Sequence, residues 1–257
     1  NDLNDFTIME SEGKGFAEIP PDLFLCNDCH RELSEKENTR YKYFFITCTN
    51  CGPRFSITKK NPYDRRTTTM NDFEMCEKCK KEYTAPENRR YHAQTIACHD
   101  CGPRLNLFVE GKIIKRHSES EYIKKATELI KQNKIVAIKG IGGFHLACNL
   151  KQETIKELGR ITGREHKPYA IMCKDFEMAN KLAYISDKEK ELLLSVQRPI
   201  VILKKRSPLQ AISELDTVGI MLPYTALHHL LFDFIDEPIV MTSSNISDEP
   251  ITRQDSE

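Results

Sequence analysis

The sequence predicts an α/β domain preceded by a duplicated, small four-cysteine zinc-finger module. Two observations predict this architecture. Eight of the ten cysteines form four Cys-x-x-Cys pairs before residue 102, and strand-like and helix-like segments alternate after residue 118. The expected organisation is a linker over 1–20, zinc finger 1 over 21–60, zinc finger 2 over 61–110 and the α/β domain over 118–257.

The composition is that of a globular cytoplasmic protein. The 257 residues are 30% charged and 39% apolar, and no apolar run approaches the roughly 18–20 residues that a membrane span needs. The first 15 residues lack the basic and apolar regions of a signal peptide. Because 38 basic residues balance 38 acidic ones, double-stranded DNA is not an expected partner.

The cysteine spacing predicts two structural zinc sites. Each half of the pattern reads C-x2-C-x18-C-x2-C, and a Cys-x-x-Cys turn presents two sulfurs as half of a tetrahedral site. Disulfides would need a secretory context, a redox site would not need four copies, and iron is the metal most easily confused with zinc. The expected ligands are Cys26, Cys29, Cys48, Cys51, Cys76, Cys79, Cys98 and Cys101. Sequential pairing closes the shorter loops, but an exchange of pairs between the two halves would satisfy the same chemistry.

The repeat extends beyond the ligands. Residues such as Arg40 and Arg90, or Pro53 and Pro103, recur at the same offset of 50, which indicates duplication of a whole module. Within each module the first cysteine pair leads into helix-like sequence, and the second pair is followed by a glycine that suits a tight knuckle. The basic residues expected to offset the thiolate charge are Arg54, Arg104, Lys78, Lys80 and Lys81.

The second half predicts a series of short elements. Apolar residues at helical spacing and β-branched runs alternate along it. Helices are expected over 120–133, 151–159, 175–182, 187–195 and 224–235, and strands over 134–139, 169–173, 199–204, 218–222 and 238–241. Cys148 and Cys173 fall in strand-like segments and are expected to be buried, so no nucleophile is assigned.

Three loops of this half carry groups suited to ligand binding. Ligands of α/β sheets sit where the loops at strand ends converge. Basic groups there could neutralise phosphates, while hydroxyl and amide groups could bind a planar carbonyl. The candidates are Lys139, Gly142, Gly143 and His145 in the first loop, Arg164 and Lys167 in the second, and Ser243 and Asn245 in the third. Each has a simpler interpretation as an ordinary turn, a solvated loop or a helix cap.

Several motifs resemble the HypF carbamoyltransferase family of nickel–iron hydrogenase maturation. They are "IPPDLFLCNDC", "TNCGPRFSI", "NPYDRRTTTMNDFEMCEKC", "RRYHAQTIACHDCGPR", "KGIGGFHLACN", "MLPYTALHHLL" and "VMTSSNISDEPI". The resemblance covers nearly the whole chain. It implies that the second half is a YrdC-like domain, a twisted sheet with flanking helices, which would be incomplete at its C-terminus. It also implies an acylphosphatase domain and a C-terminal kinase-like domain that this sequence does not contain.

The resemblance further implies an activity. ATP, bound with Mg²⁺, and carbamoyl phosphate would give carbamoyl adenylate, and the carbamoyl group would pass to the C-terminal cysteine of the partner HypE as a cyanide-ligand precursor. The three loops match the family's "KGIGGFH" stretch, its basic loop and its Ser-x-Asn turn, although Thr162 stands where the family usually has a basic residue. Two alternatives stay open: a threonylcarbamoyl-adenylate-type or RNA-binding module with structural fingers, and fingers that serve only as a docking scaffold.

Overall fold

The computed structural model describes residues 18–115, 118–163, 168–206, 208–245 and 249–255. Within these ranges, no helix has the length and apolar character required to cross a membrane.

Two short helices begin the two cysteine modules. Helix α1 (Asn27–Ser34) and helix α2 (Glu77–Thr84) each start directly after the first cysteine of their module. Cys26 is the N-cap of α1, and its sulfur accepts a hydrogen bond from the backbone N–H of Cys29 at 3.5 Å. The prediction that each module has one helical half and one knuckle half is therefore confirmed.

A seven-stranded sheet forms the second half. Its strands run in the order β3-β4-β9-β5-β8-β7-β6, and a separate hairpin joins β1 and β2. Only β5 and β8 pair in parallel among the described strands. The strands are β1 (Leu107–Val109), β2 (Lys112–Ile114), β3 (Val136–Lys139), β4 (Phe144–Cys148), β5 (Ala170–Met172), β6 (Ala183–Tyr184), β7 (Val201–Lys205), β8 (Thr217–Met221) and β9 (Ile239–Ser243).

Five further helices cover this sheet: α3 (Glu119–Lys131), α4 (Gln152–Thr162), α5 (Phe176–Leu182), α6 (Asp187–Leu194) and α7 (Ala226–Leu231). All five helices and all five strands expected in this half are confirmed, with ends shifted by a few residues. The largest difference is in α7, which stops at Leu231 rather than near residue 235. The hairpin β1–β2 and the two-residue strand β6 were not expected, because they are shorter than periodicity detects. Strand β4 was not expected either, because it directly follows the glycines of the predicted loop.

Two cores lie on the two faces of the sheet. On one face, α4, α5 and α6 cover a cluster that includes Leu158, Leu193 and Ile220. On the other face, α3 and α7 pack together with apolar residues of the first finger, such as Leu25 and Leu33. The first finger thus shares a continuous core with the α/β domain. The domain boundaries stated above stay a prediction.

Candidate functional site

The first cysteine cluster brings together four sulfurs from positions 26, 29, 48 and 51. The sulfur of Cys48 lies 3.7 Å from those of Cys26 and Cys51, and the sulfur of Cys51 lies 3.5 Å from that of Cys29. A tetrahedral site with Zn–S bonds of about 2.3 Å has sulfur–sulfur edges of about 3.8 Å. The four thiols are therefore spaced as zinc ligands.

The second cluster repeats this geometry. The sulfur of Cys98 lies 3.7 Å from that of Cys76 and 3.8 Å from that of Cys101, which lies 3.6 Å from that of Cys79. All ligand atoms of each cluster lie within 4.8 Å of one another. The arrangement resolves the question of pairing, because each module closes its own site and no pair is exchanged. Four thiolates in this geometry fit zinc.

The two clusters are linked by an arginine from each finger. Arg40 of the first finger is 2% exposed and forms a two-pronged ion pair with Glu82 of the second, at 3.1 and 2.6 Å. Its guanidinium also lies 3.4 Å from the sulfur of Cys79 and donates to the carbonyl of Ala97 at 2.7 Å. Burial opposes the charge on Arg40, but the hydrogen bond to Glu82 and the charges of Glu82, Cys79 and Cys98 together outweigh it and raise the pKa of the guanidinium.

Arg90, at the equivalent position of the second finger, makes the reciprocal contacts. It binds Glu32 of the first finger, its Nη2 lies 4.0 Å from the sulfur of Cys29, and it donates to the carbonyl of Thr47 at 3.0 Å. The neighbouring Arg89 adds a bond to the same carboxylate at 2.8 Å and one to the same sulfur at 3.1 Å. Each finger therefore supplies the cations that face the other finger's thiolates.

These contacts differ from the expectation for charge compensation. Arg54, expected to offset thiolate charge, instead donates to the backbone carbonyls of Pro53, Cys48 and Thr49 at 2.9 Å. The residues that approach the sulfurs come from the other module, so proximity in sequence was the wrong guide. The sequence feature that indicated these contacts is the recurrence, at the offset of 50, of Glu32 as Glu82 and of Arg40 as Arg90.

Three of the predicted ligand-binding residues of the α/β domain meet at one end of the strands, which we call the sheet edge. Lys139 ends β3, His145 lies at the start of β4, and Ser243 ends β9. In the strand register His145 pairs with Ser243, and Lys139 pairs with Phe144. Strand β5 runs antiparallel to β9, so it begins at this same edge. Arg164 and Lys167, from the loop before β5, lie outside the described residues.

The Gly-rich turn is packed against the chain itself. A Cβ on Gly143 would lie 2.7 Å from the carbonyl oxygen of Thr252, and Phe144 donates its backbone N–H to that oxygen at 2.8 Å. Gly142 has a φ of +87°, which favours glycine. The chain's own segment 251–252 therefore packs against Gly143, and a ligand at this edge would lie beside that segment.

The polar groups at this edge already have partners. The Lys139 ammonium lies 2.5 Å from a carboxylate oxygen of Asp255, and both side chains are at least half exposed. The Ser243 hydroxyl donates to the amide oxygen of Asn245 at 2.6 Å, and the amide nitrogen of Asn245 donates to the carbonyl of Glu249 at 3.0 Å. The ion pair of Lys139 and Asp255 is screened by solvent, so a phosphate would readily replace the carboxylate.

His145 is a half-buried member of the group. Burial lowers its pKa, its Nδ1 has no hydrogen-bond partner among the described residues, and its Nε2 lies 3.5 Å from the Tyr224 hydroxyl. The Tyr224 ring in turn lies 4.4 Å, between centroids, from the fully buried ring of His228. This aromatic group was not predicted as part of the site, although the run "YTALHHLL" (224–231) contains both residues.

Cys148 and Cys173 are not candidates for nucleophilic attack. Both are fully buried, and burial raises the pKa of each thiol to about 12. Since the thiolate is the reactive form, both are inert in this state. The expectation that both cysteines are buried is confirmed.

Two family profiles match the two halves of the chain. The profile described as "Telomere recombination", named Sua5_yciO_yrdC, matches residues 128–257, about half of the chain. The profile described as "HypF finger" matches twice, over residues 25–58 and 75–108, which are the two cysteine modules.

Whole-chain relatives carry the same combination. The chain is 46% identical to a "Probable carbamoyltransferase HypF" of Methanocaldococcus jannaschii, covering 100% of this chain and 34% of the relative. It is 44% identical to a "Carbamoyltransferase HypF" of Synechocystis sp., covering 97% and 33%. A crystal structure of full-length HypF in a phosphate- and nucleotide-bound form superposes with a TM-score of 0.89 at 49% identity, covering 95% of this chain and 32% of that one. The chain thus spans about a third of the length of the relatives it matches.

Proposed function

Through its α/β domain the chain belongs to the Sua5–YciO–YrdC family, and we propose that this domain forms carbamoyl adenylate from carbamoyl phosphate and ATP. The chain is also a homologue of HypF carbamoyltransferases along its whole length. The observation that carries the proposal is the meeting of Lys139, His145 and Ser243 at one edge of the sheet in such a chain. The transferase function of the relatives and the chemistry of these groups support the same reaction class.

The reaction needs charge neutralisation and positioning. ATP, carbamoyl phosphate and one water give carbamoyl adenylate, pyrophosphate and phosphate, so a carbamoyl oxygen becomes bonded to the α-phosphorus as pyrophosphate leaves. Lys139 would exchange Asp255 for a phosphate oxygen, at little cost because the pair is exposed. Arg164 and Lys167 would supply further cations, and Mg²⁺ would arrive with the nucleotide.

The neutral groups would hold the carbamoyl end. Burial keeps His145 uncharged near neutral pH, so its ring acts as a hydrogen-bonding group rather than a cation. Ser243 and Asn245 present a hydroxyl and an amide beside it. These side chains match the donors and acceptors of a carbamoyl group, and the described residues at this edge include no activated nucleophile.

The remaining roles follow from the same family resemblance. The carbamoyl group would pass to the C-terminal cysteine of HypE in the cytoplasm, with the acylphosphatase and kinase-like domains of the full-length relatives contributing to the sequence of steps. The two zinc sites would serve as a frame, because all eight cysteines are used as metal ligands and the first finger packs into the core of the α/β domain.

Carbamoyl-phosphate-dependent exchange of pyrophosphate into ATP tests this proposal. The full-length protein should exchange label only with both substrates, and Asn245→Ala and Arg164→Ala should each lower the rate at least tenfold. Arg160→Ala, which removes an exposed arginine paired with Glu157, is the matched control and should leave the rate unchanged. Unchanged exchange in both site variants would overturn the assignment. Exchange supported by threonine and bicarbonate, but not by carbamoyl phosphate, would favour the threonylcarbamoyl-adenylate alternative.

A further inference from the structure

A second cleft lies at the opposite end of the sheet. It has a volume of about 360 Å³ and is bounded by α1 of the first finger and by α7. Lys174, two residues after β5, and Leu222, directly after β8, both line it. The carboxyl ends of these two parallel strands therefore open into the cleft, which is where ligands of α/β sheets commonly bind.

This cleft is separate from the site formed by Lys139, His145 and Ser243. Strand β9 runs antiparallel to β5, so its first residue, Ile239, lies near the cleft end and its last, Ser243, at the other edge. Four residue steps of a strand span about 14 Å. A ligand in the cleft would leave the first site open, so the two sites are independent.

The charges lining the cleft leave one positive charge in excess. Lys42, Lys174 and Arg198 face only two acidic lining residues, Asp175 and Asp233. Asp233 is held by Lys42 at 2.6 Å, whereas Lys174 reaches only Asp236, at 3.6 Å, whose side chain is 95% exposed. Because Asp175 is the other acidic lining residue, Lys174 and Arg198 together leave one positive charge to attract an anion.

Two buried nitrogen atoms of lining residues have no partner among the described residues. They are Nε of Arg198 and Nε2 of His229. The guanidinium of Arg198 is held in place by the carbonyl of Leu193, at 2.9 Å from Nη1, and by the ring of Phe24, whose centroid is 4.0 Å away. Since a guanidinium only donates hydrogen bonds, the partner it lacks must offer an acceptor oxygen.

Eight of the other eleven lining residues are apolar, and the remaining three are Asn27, His30 and Ser34. The apolar residues include Phe176, Leu194, Leu222 and Phe232. A cavity of this size with an apolar lining and a few polar groups is typical of small-molecule sites. We propose that the cleft binds a small organic anion, an apolar body that carries a carboxylate or a phosphate group, with the oxygens directed toward Arg198 and His229.

Titration of the zinc-loaded chain with two probes tests this inference. Benzoate and phenyl phosphate represent the two sources of the anionic group, and benzyl alcohol is the uncharged match. Calorimetry should show saturable binding of at least one anion and no heat from the alcohol. Long-range ¹H–¹⁵N spectra should show the ring signals of His229 moving while those of His145 stay in place.

Variants separate this cleft from the first site. Arg198→Gln should weaken anion binding at least tenfold, and Arg160→Gln should leave it unchanged. Should Arg198→Gln prove unstable, Arg198→Lys keeps a cation while removing Nε and is expected to weaken binding several-fold. The inference is overturned by an absence of binding at millimolar probe, by equal affinity for benzyl alcohol, or by binding that depends on Lys139 and not on Arg198. It would also be overturned if zinc added beyond the two structural ions, rather than an anion, bound saturably at His30 and His229, whose ring centroids are 4.5 Å apart.

Discussion

The cysteine clusters and the sheet-edge site are completed in different ways. Each cluster takes four ligands from one short module, and its charged surroundings are buried contacts between the fingers. The sheet-edge site combines Lys139, His145 and Ser243 from three separate strands. The ion pair that Lys139 forms with Asp255 is exposed. The charged contacts between the fingers are thus shielded from solvent, whereas the ion pair of Lys139 and Asp255 is open to solvent and, under the proposed function, to exchange with a ligand.

Removal of a zinc ligand is expected to cause the largest loss of stability. Cys29→Ser removes a buried ligand of the first cluster, and structural zinc contributes about 10–16 kcal/mol in finger peptides. Because the first finger shares its core with the α/β domain, we expect a loss of more than about 5 kcal/mol from the free energy of unfolding. Zinc analysis and thermal denaturation measure both quantities. Cys148→Ser, which changes a buried cysteine that is no ligand, should keep two zinc ions per chain. Two zinc ions in Cys29→Ser would contradict the assignment.

Breaking the reciprocal arginine contacts should have the next largest effect. Arg40→Ala leaves the carboxylate of Glu82 beside the thiolates without its partner, and loss of one member of a buried pair costs about 3–5 kcal/mol. Glu82 is 27% exposed, so solvent screening places the expected loss near the lower end, about 3 kcal/mol. Urea denaturation measures this change.

A matched surface variant sharpens the same comparison. Arg160→Ala breaks a pair on α4 whose side chains are both largely exposed, so we expect a change within about 0.5 kcal/mol. A double-mutant cycle of Arg40 and Glu82 should give a coupling free energy well above that of the surface pair. Equal effects of Arg40→Ala and Arg160→Ala would show that the contact between fingers is not a structural element.

The buried His228 is expected to have a smaller effect on stability, one that depends on pH. Burial first, and then the neighbouring His145 and His229, lower the pKa of His228 to about 3, below the value of about 6.5 expected in the unfolded chain. The unfolded state therefore binds more protons, and this residue's contribution to stability is lost as the pH falls below about 6.5. Relative to wild type, His228→Phe should gain about 0.8 kcal/mol between pH 8 and pH 6. Urea denaturation at both pH values, with zinc content checked at each, measures it; identical pH profiles would contradict the buried neutral state.

Breaking the exposed ion pair of Lys139 and Asp255 at the sheet edge is expected to have the smallest effect on stability. Asp255→Asn should change the free energy of unfolding by less than about 0.5 kcal/mol, because the two side chains are 50% and 77% exposed. The same change frees Lys139, so nucleotide affinity should rise rather than fall. A large loss of stability would show that this edge is as rigid as the fingers.

The sequence was most informative where the determinants are local. Both cysteine clusters, the helix that begins at each first pair, and ten elements of the α/β domain were predictable, because spacing and periodicity report on neighbouring residues. The contacts of Arg40 and Arg90 were missed, because they depend on how two modules pack against each other. The recurrence of both residues marked them as shared without showing that each serves the other finger.

Long-range packing also limited the prediction of the sheet-edge site. The glycine at 143 was predicted to line a ligand site, and in the structure it packs against Thr252 of the same chain. The ring of His228 reaches the site from α7 through Tyr224, and a helical pattern alone gives no such placement. Which strand lies beside which is set by burial over the whole sheet, and a single sequence read in windows does not contain it.

A crystal structure of the zinc-loaded chain soaked with ATP and carbamoyl phosphate would locate the metal ions, the nucleotide and the acyl group together. We expect zinc in both four-cysteine clusters and the nucleotide at the sheet edge, with phosphate oxygens within hydrogen-bond distance of Lys139 and the acyl group beside Ser243 and His145. Asp255 should no longer contact Lys139. A nucleotide bound elsewhere, with the pair of Lys139 and Asp255 intact, would contradict the account.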